Sequence, residues 1–382
     1  MIKILFLDQS GKLGGAELSL MDVAEPYKAN CLVGLFADGA FREALEKRQI
    51  PVQVFTNQAI QVQKSGSLLQ GLRSLGAVVP LVKQVAQVAQ HYDLLYANTQ
   101  KALVVGALAS LLSQRPLVYH LRDILSSDHF SFTNRKIAVT LANQFASLVI
   151  ANSQATQAAF VAAGGRTDRV QVVYNGFNPQ NYQVSAEVID RLKQELALQG
   201  KFVVGHFSRL SPWKGQDILI RTMAQCSEQV VALLVGDALF GEDDYIAQLK
   251  HLTVELGLEE RVKFLGFRSD IPQLMTVCNL IAHTSTAPEP FGRVIVEAML
   301  CNRPVVAAQA GGAIELVESE KTGWLTPPGD ADNLAEVIQF CYTHPEQAQA
   351  IADRGYQRAC QQFNLDTMNQ QLQQLLAHVV PK

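Results

Sequence analysis

The sequence lacks the features that mark a secreted or membrane-spanning protein. Its six cysteines are scattered and no two form a Cys-x-x-Cys pair, so they are predicted to be buried free thiols in a reducing compartment. The apolar start, residues 2–7, is too short for the core of a signal peptide. The longest later apolar run, residues 102–112, is well short of the ~20 residues that a membrane span needs. These absences predict a cytoplasmic chain that is not integral to a membrane.

Charged residues are also scarce, and they are unevenly distributed. They make up 18% of the chain against 48% apolar residues, a balance that is typical of globular proteins and excludes disordered or fibrous classes. With 382 residues, the chain is long enough for two α/β domains of roughly 150–200 residues each. Residues 1–180 carry 16 Lys and Arg against 11 Asp and Glu, whereas residues 181–382 carry 16 against 24. This asymmetry fits two domains with different partners, although chance variation on solvated surfaces explains it equally well.

Short apolar runs alternate with longer helical stretches along the whole chain. This alternation predicts an α/β fold with parallel sheets, and it places functional residues just beyond the carboxyl ends of the strands. The predicted strands are residues 2–7, 31–36, 52–55, 94–96, 117–120, 148–151, 170–173, 202–207, 231–235, 262–265, 280–283 and 305–307. A polar, turn-rich stretch places a hinge near residues 178–200. The Gln/Leu pattern after Asn364 predicts a terminal helix that packs back across the first domain.

One candidate for a phosphate-binding site follows the strand predicted at residues 202–207. The segment 208–215, Ser-Arg-Leu-Ser-Pro-Trp-Lys-Gly, places Arg209 and Lys214 between that strand and the next helix. A planar guanidinium and a mobile ammonium at this position can bracket the oxygens of a diphosphate. Taken alone, the pair is more typical of an ordinary surface loop.

Two carboxylates lie further along, in the segment 288–298, Pro-Glu-Pro-Phe-Gly-Arg-Val-Ile-Val-Glu-Ala. Glu289 is in a Pro-rich turn, where it can accept hydrogen bonds from sugar hydroxyls. Glu297 follows the apolar residues 294–296 of a predicted buried helix. Because a buried carboxylate needs a partner, the vicinal hydroxyls of a ribose are candidates for its donors.

Glycines flank these carboxylates on both sides. Phe291-Gly292 leads into the helix, so its first backbone amides are available to an anion. Further on, the paired Gly311-Gly312 let backbone amides approach a ligand closely.

Together these motifs resemble the donor-binding half of glycosyltransferase family 4, the retaining group 1 glycosyltransferases with a GT-B fold. The resemblance is carried by the Glu-x7-Glu pair with its upstream cations and downstream glycines, that is, by Glu289, Glu297, Arg209, Lys214, Gly311 and Gly312. It continues through residues 264–267, where Phe267 ends a segment similar to the family's base-contacting turn. Residues 318–328 resemble the closing segment of the family.

The resemblance implies two Rossmann-like domains whose parallel sheets face a central cleft. Residues 1–180 would form the acceptor-binding domain, and residues 181–364 would form the domain that binds the nucleotide sugar. Residues 365–382 would form a helix that packs back towards the first domain.

The first half contains a glycine-rich segment similar to one in the family. Residues 10–17, Ser-Gly-Lys-Leu-Gly-Gly-Ala-Glu, follow the first strand, and the backbone near Gly14 and Gly15 would face the donor diphosphate. From the residues alone a dehydrogenase is an alternative, because Asp38 follows the second strand as a ribose-binding acid would. The glycine spacing departs from G-x-G-x-x-G, so the loop by itself is weak evidence for either class.

Several polar residues follow other strands of the first half. His120 resembles the interdomain histidine of the family, which contacts the donor sugar, whereas its spacing alone is that of a core histidine. Weaker candidates just beyond strand ends are Lys101, Arg122, Asn152 and Ser153.

Residues 49–92 contain three basic residues and no acidic one. The apolar residues between 68 and 82 have a broadly helical spacing, which Pro80 interrupts. Because basic amphipathic stretches can lie on anionic membranes, residues 61–90 are a candidate for peripheral association with the inner face of a membrane. A core-facing helix beside the acceptor site is the favoured alternative.

The reaction implied by the resemblance is the transfer of a glycosyl unit from a nucleoside diphosphate sugar to an acceptor hydroxyl, without a metal ion and with retention. Arg209, Lys214 and helix-terminal amides would stabilise the charge on the departing diphosphate. Glu289 would orient the sugar and Glu297 the ribose, and His120 would lie near the reacting face. Front-face attack is the implied route, and double displacement with Glu289 as nucleophile stays open.

No cofactor, metal or nucleic-acid partner is expected, since the donor is a co-substrate. A non-hydrolysing nucleotide-sugar epimerase and a non-catalytic nucleotide-sugar-binding subunit are the alternatives. UDP, GDP and ADP sugars use similar phosphate clamps, so each stays open as donor. Glycans, lipid-linked sugars and small metabolites stay open as acceptors.

Overall fold

The computed structural model describes residues 2–56, 68–238 and 242–380, and the chain divides into two compact units. The first unit comprises Met1–Gly176 and Leu365–Lys382, and the second comprises Phe177–Asn364. The chain therefore leaves the first unit a few residues before the boundary placed at residue 180. Phe177 belongs to the second unit because its ring stacks on Phe291 of that unit, with 6.3 Å between ring centroids.

The first unit is a parallel sheet with helices on both faces. Its elements are β1 (Ile4–Asp8), α1 (Gly15–Ala24), β2 (Cys31–Leu35), α2 (Ala40–Lys47), β3 (Val52–Val54), α3 (Leu68–Ala89), β4 (Leu94–Ala97), α4 (Gln100–Ser113), β5 (Leu117–Leu121), α5 (Phe132–Phe145), β6 (Ala146–Ala151), α6 (Gln154–Ala162) and β7 (Val170–Val172). The strand order is β3-β2-β1-β4-β5-β6-β7. Strands β1, β4 and β5 are buried along their whole length, which explains why they are continuous apolar runs rather than alternating ones.

The second unit repeats this architecture with six strands. Its elements are α7 (Ala186–Glu195), β8 (Phe202–Phe207), α8 (Gln216–Met223), β9 (Val230–Val235), α9 (Asp243–Glu255), β10 (Val262–Gly266), α10 (Ile271–Val277), β11 (Leu280–His283), α11 (Arg293–Leu300), β12 (Val305–Ala308), α12 (Ala313–Leu316), β13 (Trp324–Thr326), α13 (Ala331–Thr343) and α14 (Pro345–Gln362). The strand order is β10-β9-β8-β11-β12-β13.

The terminal helix, α15 (Leu365–Val379), belongs to the first unit. Its side chains Met368, Leu372 and Leu376, spaced four residues apart, are buried in the same core cluster as residues of α1 and α2. Helices α3 to α6 cover the opposite face of the sheet. Each fully buried side chain of this size contributes about 1.5–3 kcal/mol, so α15 is an integral part of the core of the first unit.

Both sheets have the doubly wound order, in which the direction of winding reverses once. The reversal lies between β1 and β4 in the first unit and between β8 and β11 in the second. Loops leaving the carboxyl ends of the two strands at a reversal diverge to opposite faces of the sheet, and the crevice between them is where ligands bind in such folds. All twelve predicted strands are present within one or two residues, and β13 is an additional, three-residue strand.

No helix within the described ranges is both long and apolar enough to cross a membrane. The six cysteines are free thiols, and four of them, Cys31, Cys278, Cys301 and Cys341, are buried. Burial raises the pKa of the Cys31 and Cys341 thiols to about 12. Residues 57–67 of the basic stretch lie outside the described residues, and its later part is helix α3, with Pro80 inside.

Candidate functional site

The reversal point of the second sheet brings Lys214 and Glu289 into direct contact. Lys214 ends a short 3-10 turn after β8, and Glu289 lies in the loop after β11. The Nζ atom of Lys214 is 2.6 Å from Oε2 of Glu289, and both side chains are about seven-eighths buried, with 14% and 13% exposed. The sequence predicted both residues as site residues, and the structure places them together.

Two further donors converge on the same carboxylate oxygen. His283 Nε2 and the Ser285 hydroxyl each lie 3.2 Å from Oε2 of Glu289. Burial raises the pKa of Glu289, but Lys214 and His283 lower it by more, so the pKa ends well below its usual range. Glu289 is therefore an ionised carboxylate. In the described part of the chain Oε1 has no partner, which leaves it available to a ligand hydroxyl.

Side chains behind the site fix the two loops to each other. The Thr284 hydroxyl donates to the carbonyl of Gly215 at 2.7 Å, and Gln216 Nε2 donates to the carbonyl of Arg209 at 2.9 Å. His206 Nε2 hydrogen-bonds the Thr284 hydroxyl at 3.0 Å. Burial, with nearby His283, lowers the pKa of His206 to about 3, so its ring is neutral. These hydrogen bonds fix the positions of the two loops that carry Lys214 and Glu289.

The indole ring of Trp213 lies near both predicted cations, Arg209 and Lys214. Its ring centroid lies 4.0 Å from Lys214 Nζ and 5.7 Å from Arg209 Cζ, distances at which a cation is attracted to an aromatic face. Trp213 and His283 were not predicted as site residues. Both have a detectable signal, since Trp213 lies between the two cations in sequence and His283 is the last residue of β11.

Gly311 and Gly312 pack closely against the loop that carries Glu289. A Cβ at Gly311 would lie 2.3 Å from the carbonyl oxygen of Glu289, and one at Gly312 would lie 2.7 Å from the carbonyl oxygen of Pro290. The Gly312 amide donates to the Glu289 carbonyl at 2.7 Å. The Gly312 amide is thus used within the protein, and its predicted approach to a ligand is corrected. A ligand contact of the Gly311 amide stays a prediction.

The segment that opens α11 is also used partly for packing. The side chain of Phe291 is 2% exposed, and its ring packs against Phe177 and Phe363, so only its backbone is available to a donor. Gly292 is the N-cap of α11, in the left-handed region with φ +97°. Glu297, predicted to need a partner, has Arg293 Nε 3.4 Å from its Oε1.

Phe267 directly follows β10, and its side chain is 69% exposed. The preceding Gly266 has a φ of +64°, so the chain turns sharply at the end of the strand. An exposed aromatic ring at such a turn can stack on a nucleotide base. The role assigned to Phe267 remains a prediction.

In the first unit, His120 is a buried residue of β5. Its Nδ1 and the hydroxyl of Tyr96 share a hydrogen bond, and its Nε2 has no partner among the described residues. Burial, reinforced by the charge of Arg122, lowers the pKa of His120 well below its usual value, so the imidazole is neutral. A neutral ring with one unsatisfied nitrogen suits a hydrogen bond to a ligand, and the sugar contact of His120 stays a prediction.

The glycine-rich loop leads into α1, whose N-cap is Gly14 and whose first residue is Gly15. Glu17, at the third helical position, folds back so that its carboxylate accepts hydrogen bonds from backbone near Gly14. Burial, with the charge of Asp8, raises the pKa of Glu17 to about 8. Burial likewise raises the pKa of Asp8 to about 6.

These carboxyls belong to a buried polar cluster at the reversal point of the first sheet. Asn98 Nδ2 donates to Asp8 at 2.7 Å, and Arg122 donates to Asn98 at 3.0 Å and to Asn175 at 2.7 Å. Arg122, a weaker site candidate, therefore connects elements of the first unit. The sequence did not predict Asp8 or Glu17, although Asp8 is the last residue of β1 and Glu17 follows the paired glycines.

The remaining candidates of the first half also have local roles. Asp38 is exposed and accepts from Arg42 Nε at 2.6 Å, which weakens the dehydrogenase alternative. Ser153 is the N-cap of α6 and accepts from the amide of Thr156 at 3.0 Å. Asn152 Oδ1 accepts from the hydroxyl of the same threonine. Burial lowers the pKa of Lys101.

One Asp-x-Asp triplet, Asp330-Ala331-Asp332, occurs in the sequence. Asp330 caps α13 by accepting from the amide of Asn333, and Asp332 accepts from Gln225 Nε2 at 2.8 Å. Within the described ranges, no three His, Cys, Asp or Glu side chains are grouped as a metal site. Both aspartates are thus occupied by local structure, and metal independence stays a prediction.

Comparison with known families matches both halves of the chain. The model described as Glycosyl transferases group 1 matches residues 188–358, and the model described as Glycosyltransferase Family 4 matches residues 13–181. The chain is 59% identical to Anabaena HepE, whose crystal structure was determined in complex with UDP-glucose. That match has a TM-score of 0.93 and covers 99% of this chain and 100% of the other.

Curated relatives are more distant. The match to a GDP-mannose-dependent alpha-(1-6)-phosphatidylinositol monomannoside mannosyltransferase of Mycolicibacterium smegmatis is 28% identical over 59% of this chain and 60% of that protein. The match to spore coat protein SA of Bacillus subtilis is 27% identical over 53% of this chain and 56% of that protein. The chain thus spans little more than half the length of these relatives.

Proposed function

The chain belongs to the group 1 glycosyltransferases of family 4, with the GT-B fold, and from this premise we propose that it is a retaining, metal-independent hexosyltransferase. The donor is a nucleoside diphosphate sugar, and an acceptor hydroxyl attacks its anomeric carbon. The observation that carries the proposal is the contact between Lys214 and Glu289 at the reversal point of the second sheet. This pair combines a cation for the diphosphate with an anion for the sugar.

The cations account for departure of the diphosphate. As the glycosidic bond breaks, negative charge accumulates on the phosphate oxygens, and a fixed cation stabilises that charge most strongly when it is partly buried. Lys214 carries three protons, of which one points to Glu289 in the structure, so two remain for phosphate oxygens. Arg209, whose Cζ lies 5.7 Å from the ring centroid of Trp213, adds a planar group suited to bidentate contact.

Glu289 orients the sugar in this proposal and does not attack it. Lys214, His283 and Ser285 all hydrogen-bond Oε2, which stabilises the carboxylate as an anion and reduces its tendency to form a covalent bond. The opposite oxygen is available to accept from a sugar hydroxyl. This arrangement supports front-face attack over double displacement, which requires a carboxylate placed to bond the anomeric carbon.

We assign UDP-glucose as the donor. The support is the 59–60% identity to Anabaena HepE, which was crystallised both with UDP-glucose and with UDP and glucose. Identity at this level across 99% of the chain favours a shared donor over the GDP-mannose named for the more distant mannosyltransferase.

Calorimetric titration with UDP-glucose, GDP-mannose and ADP-glucose in EDTA tests the donor and the metal requirement together. We expect binding of UDP-glucose alone, weakened at least about tenfold in Arg209→Ala/Lys214→Ala because each lost charge-assisted contact contributes about 1.5–3 kcal/mol. The matched control is Arg221→Ala/Lys250→Ala, which removes two exposed cations of the same unit. Equal weakening by the control, or no binding in EDTA, contradicts the proposal.

Product analysis distinguishes transfer from the two alternatives. Proton NMR of UDP-glucose incubated with enzyme and candidate acceptors should show an α-linked product, since the donor is an α-glycoside and the mechanism retains configuration. Interconversion of the donor without an acceptor would indicate an epimerase. Tight binding without turnover for any acceptor class would indicate a non-catalytic subunit.

A further inference from the structure

Helices α3 to α6, which cover one face of the first sheet, contain no acidic residue at all. In the part whose side chains the structure describes, from residue 78 onward, they carry four basic residues: Lys83, Lys101, Arg135 and Lys136. The helices that cover the other face of the same sheet, α1, α2 and α15, carry two basic residues, Arg42 and Lys47, against five acidic ones: Glu17, Asp22, Glu43, Glu46 and Asp366. The helices on the α3 to α6 side therefore carry a net positive charge, whereas the helices on the other side carry a net negative charge.

The same side exposes large apolar side chains. Of the nine that are exposed in the described part of the chain, six lie on α3, α4 and α5: Val79, Leu108, Leu111, Leu112, Phe132 and Ile137. On α4 the three leucines are spaced i, i+3 and i+4, so they form one stripe on the outer side of the helix. The exposed fractions of these leucines, 40%, 50% and 59%, are high for apolar side chains, whose exposure to water is unfavourable.

Lysines border this stripe. Helix α4 packs between α3 and α5, so Lys83 on α3 and Lys136 on α5 lie on either side of it, and both are exposed. Lys136 Nζ lies 5.9 Å from the ring centroid of Phe132. We name the surface formed by Leu108, Leu111, Leu112, Phe132, Lys136 and Ile137 the α4–α5 face.

We propose that the α4–α5 face binds the surface of an anionic lipid bilayer. Leucine, isoleucine and phenylalanine side chains enter the boundary between head groups and acyl chains, while the lysines remain at the level of the phosphates. Because helices α3 to α6 carry no acidic residue, their surface gains from the negative potential of such a bilayer. The binding is peripheral, and it is independent of the donor assigned above.

The charge and the apolar stripe together favour a bilayer over other partners. A second copy of this chain meeting it face to face would bring lysines against lysines with no carboxylate between them. A nucleic acid would neutralise the lysines but would leave the leucine stripe in water. An anionic bilayer offers both, because its negative head groups directly border an apolar layer.

Co-sedimentation with sucrose-loaded vesicles tests the proposal on the full-length protein. Vesicles that contain both phosphatidylcholine and anionic phosphatidylglycerol are compared with pure phosphatidylcholine vesicles. We expect binding to the anionic vesicles only. The variant Leu108→Ser/Leu111→Ser/Leu112→Ser should lose at least about tenfold in vesicle affinity, and Arg135→Glu/Lys136→Glu should lose a similar amount at low salt.

The matched control is Val254→Ser/Lys250→Glu in the second unit, which changes an equally exposed apolar residue, 60% exposed, and a nearby cation on α9. Its vesicle binding should equal that of the wild type. Unchanged donor affinity in each variant shows that it is folded.

Failure of the wild type to bind anionic vesicles would overturn the proposal, as would equal binding by the leucine variant. A wild-type dimer that the leucine variant dissociates, measured by light scattering, would instead assign the face to a second copy. Failure of UDP-glucose binding in the wild type, by contrast, would contradict only the proposed function.

Discussion

Lys214 Nζ donates a hydrogen bond of 2.6 Å to Glu289 Oε2, and this contact joins the loops that leave β8 and β11 on either side of the reversal point. Two residues that are 75 positions apart in sequence thus form a single charged unit. A ligand that takes hydrogen bonds from Lys214 changes the environment of Glu289, and a ligand that donates to Glu289 changes that of Lys214. The diphosphate and sugar parts of a donor are therefore expected to bind cooperatively.

A double-mutant cycle on this pair measures that cooperativity. Lys214→Ala should weaken UDP-glucose binding about 10–100-fold, because it removes a charge from the diphosphate and leaves Glu289 buried without its main partner. Glu289→Gln should lower kcat by about 100-fold with a smaller effect on donor affinity, since Lys214 is retained. Calorimetry on both single variants and on the double variant gives the cycle for the free energy of donor binding. In that free energy, the effects of the two substitutions should differ from additivity by about 0.5–3 kcal/mol. Additive effects would show that the contact has no functional coupling.

Gly311→Ala should damage the donor site without removing any ligand contact. The new methyl group would meet the backbone of Glu289, and the residue would keep a φ of +61°, so the Glu289 loop has to move. We expect about 1–3 kcal/mol loss of stability together with at least tenfold weaker donor binding. Gly257→Ala is the control, because it has a φ of +65° with nothing within 4 Å of the added carbon. It should lose stability but keep donor affinity, and equal affinity losses would refute the steric explanation.

Glu17→Gln should change how stability depends on pH. The pKa of Glu17 is about 8 in the folded chain against 4.5 as its ordinary value, so the folded state binds the proton more tightly. Wild-type stability therefore falls as the pH rises from about 4.5 to 8, and the glutamine variant lacks this loss.

At pH 8.5, above this window, the Gln variant should exceed the wild type by at least about 1.4 kcal/mol, the equivalent of one pKa unit. The difference should disappear near pH 4.5, the ordinary pKa of a glutamate. Calorimetric unfolding across this range measures it, with Glu43→Gln at an exposed position of α2 as the control. A difference that does not vary with pH would show that Glu17 is already charged in the folded chain.

Phe267→Ala should weaken nucleotide binding selectively. The side chain is 69% exposed, so its removal leaves no cavity and should leave the unfolding temperature within about 1 °C. Loss of stacking on the base costs about 1–3 kcal/mol, which corresponds to about 5–150-fold in Kd for UDP and for UDP-glucose alike. Val254→Ala is the control at a similarly exposed position. Unchanged UDP affinity in Phe267→Ala would remove this residue from the site.

Much of the fold was predictable because the strands of parallel sheets are buried on both faces. A run such as residues 202–207 is apolar throughout, and its boundaries are visible in the sequence. Strand β13 was not predicted because it has only three residues and lies at the edge of the sheet, where a short Trp-Leu-Thr segment has no distinctive periodicity. The position of α15 against α1 and α2 agrees with the predicted packing on the first domain.

The site was less predictable, because residue type does not reveal which contact a residue serves. Lys214 and Glu289 were identified from their positions after strands, and the structure joins them. The motif could not show that the glycines at 311 and 312 support a loop, since that depends on a backbone segment more than twenty residues away. Likewise, nothing in the sequence indicated that Phe291 packs into an aromatic cluster rather than facing a ligand.

The first unit is discontinuous in sequence, and this affects the order in which the chain folds on the ribosome. Met368, Leu372 and Leu376 complete its core, yet they are synthesised after every residue of the second unit. The second unit, Phe177–Asn364, has all its own strands once residue 326 has emerged, and it can close first. The part of the first unit's core that Met368, Leu372 and Leu376 fill meanwhile stays incomplete, although α1 and α2 are already present, so during synthesis the unit that starts first is the one that finishes last.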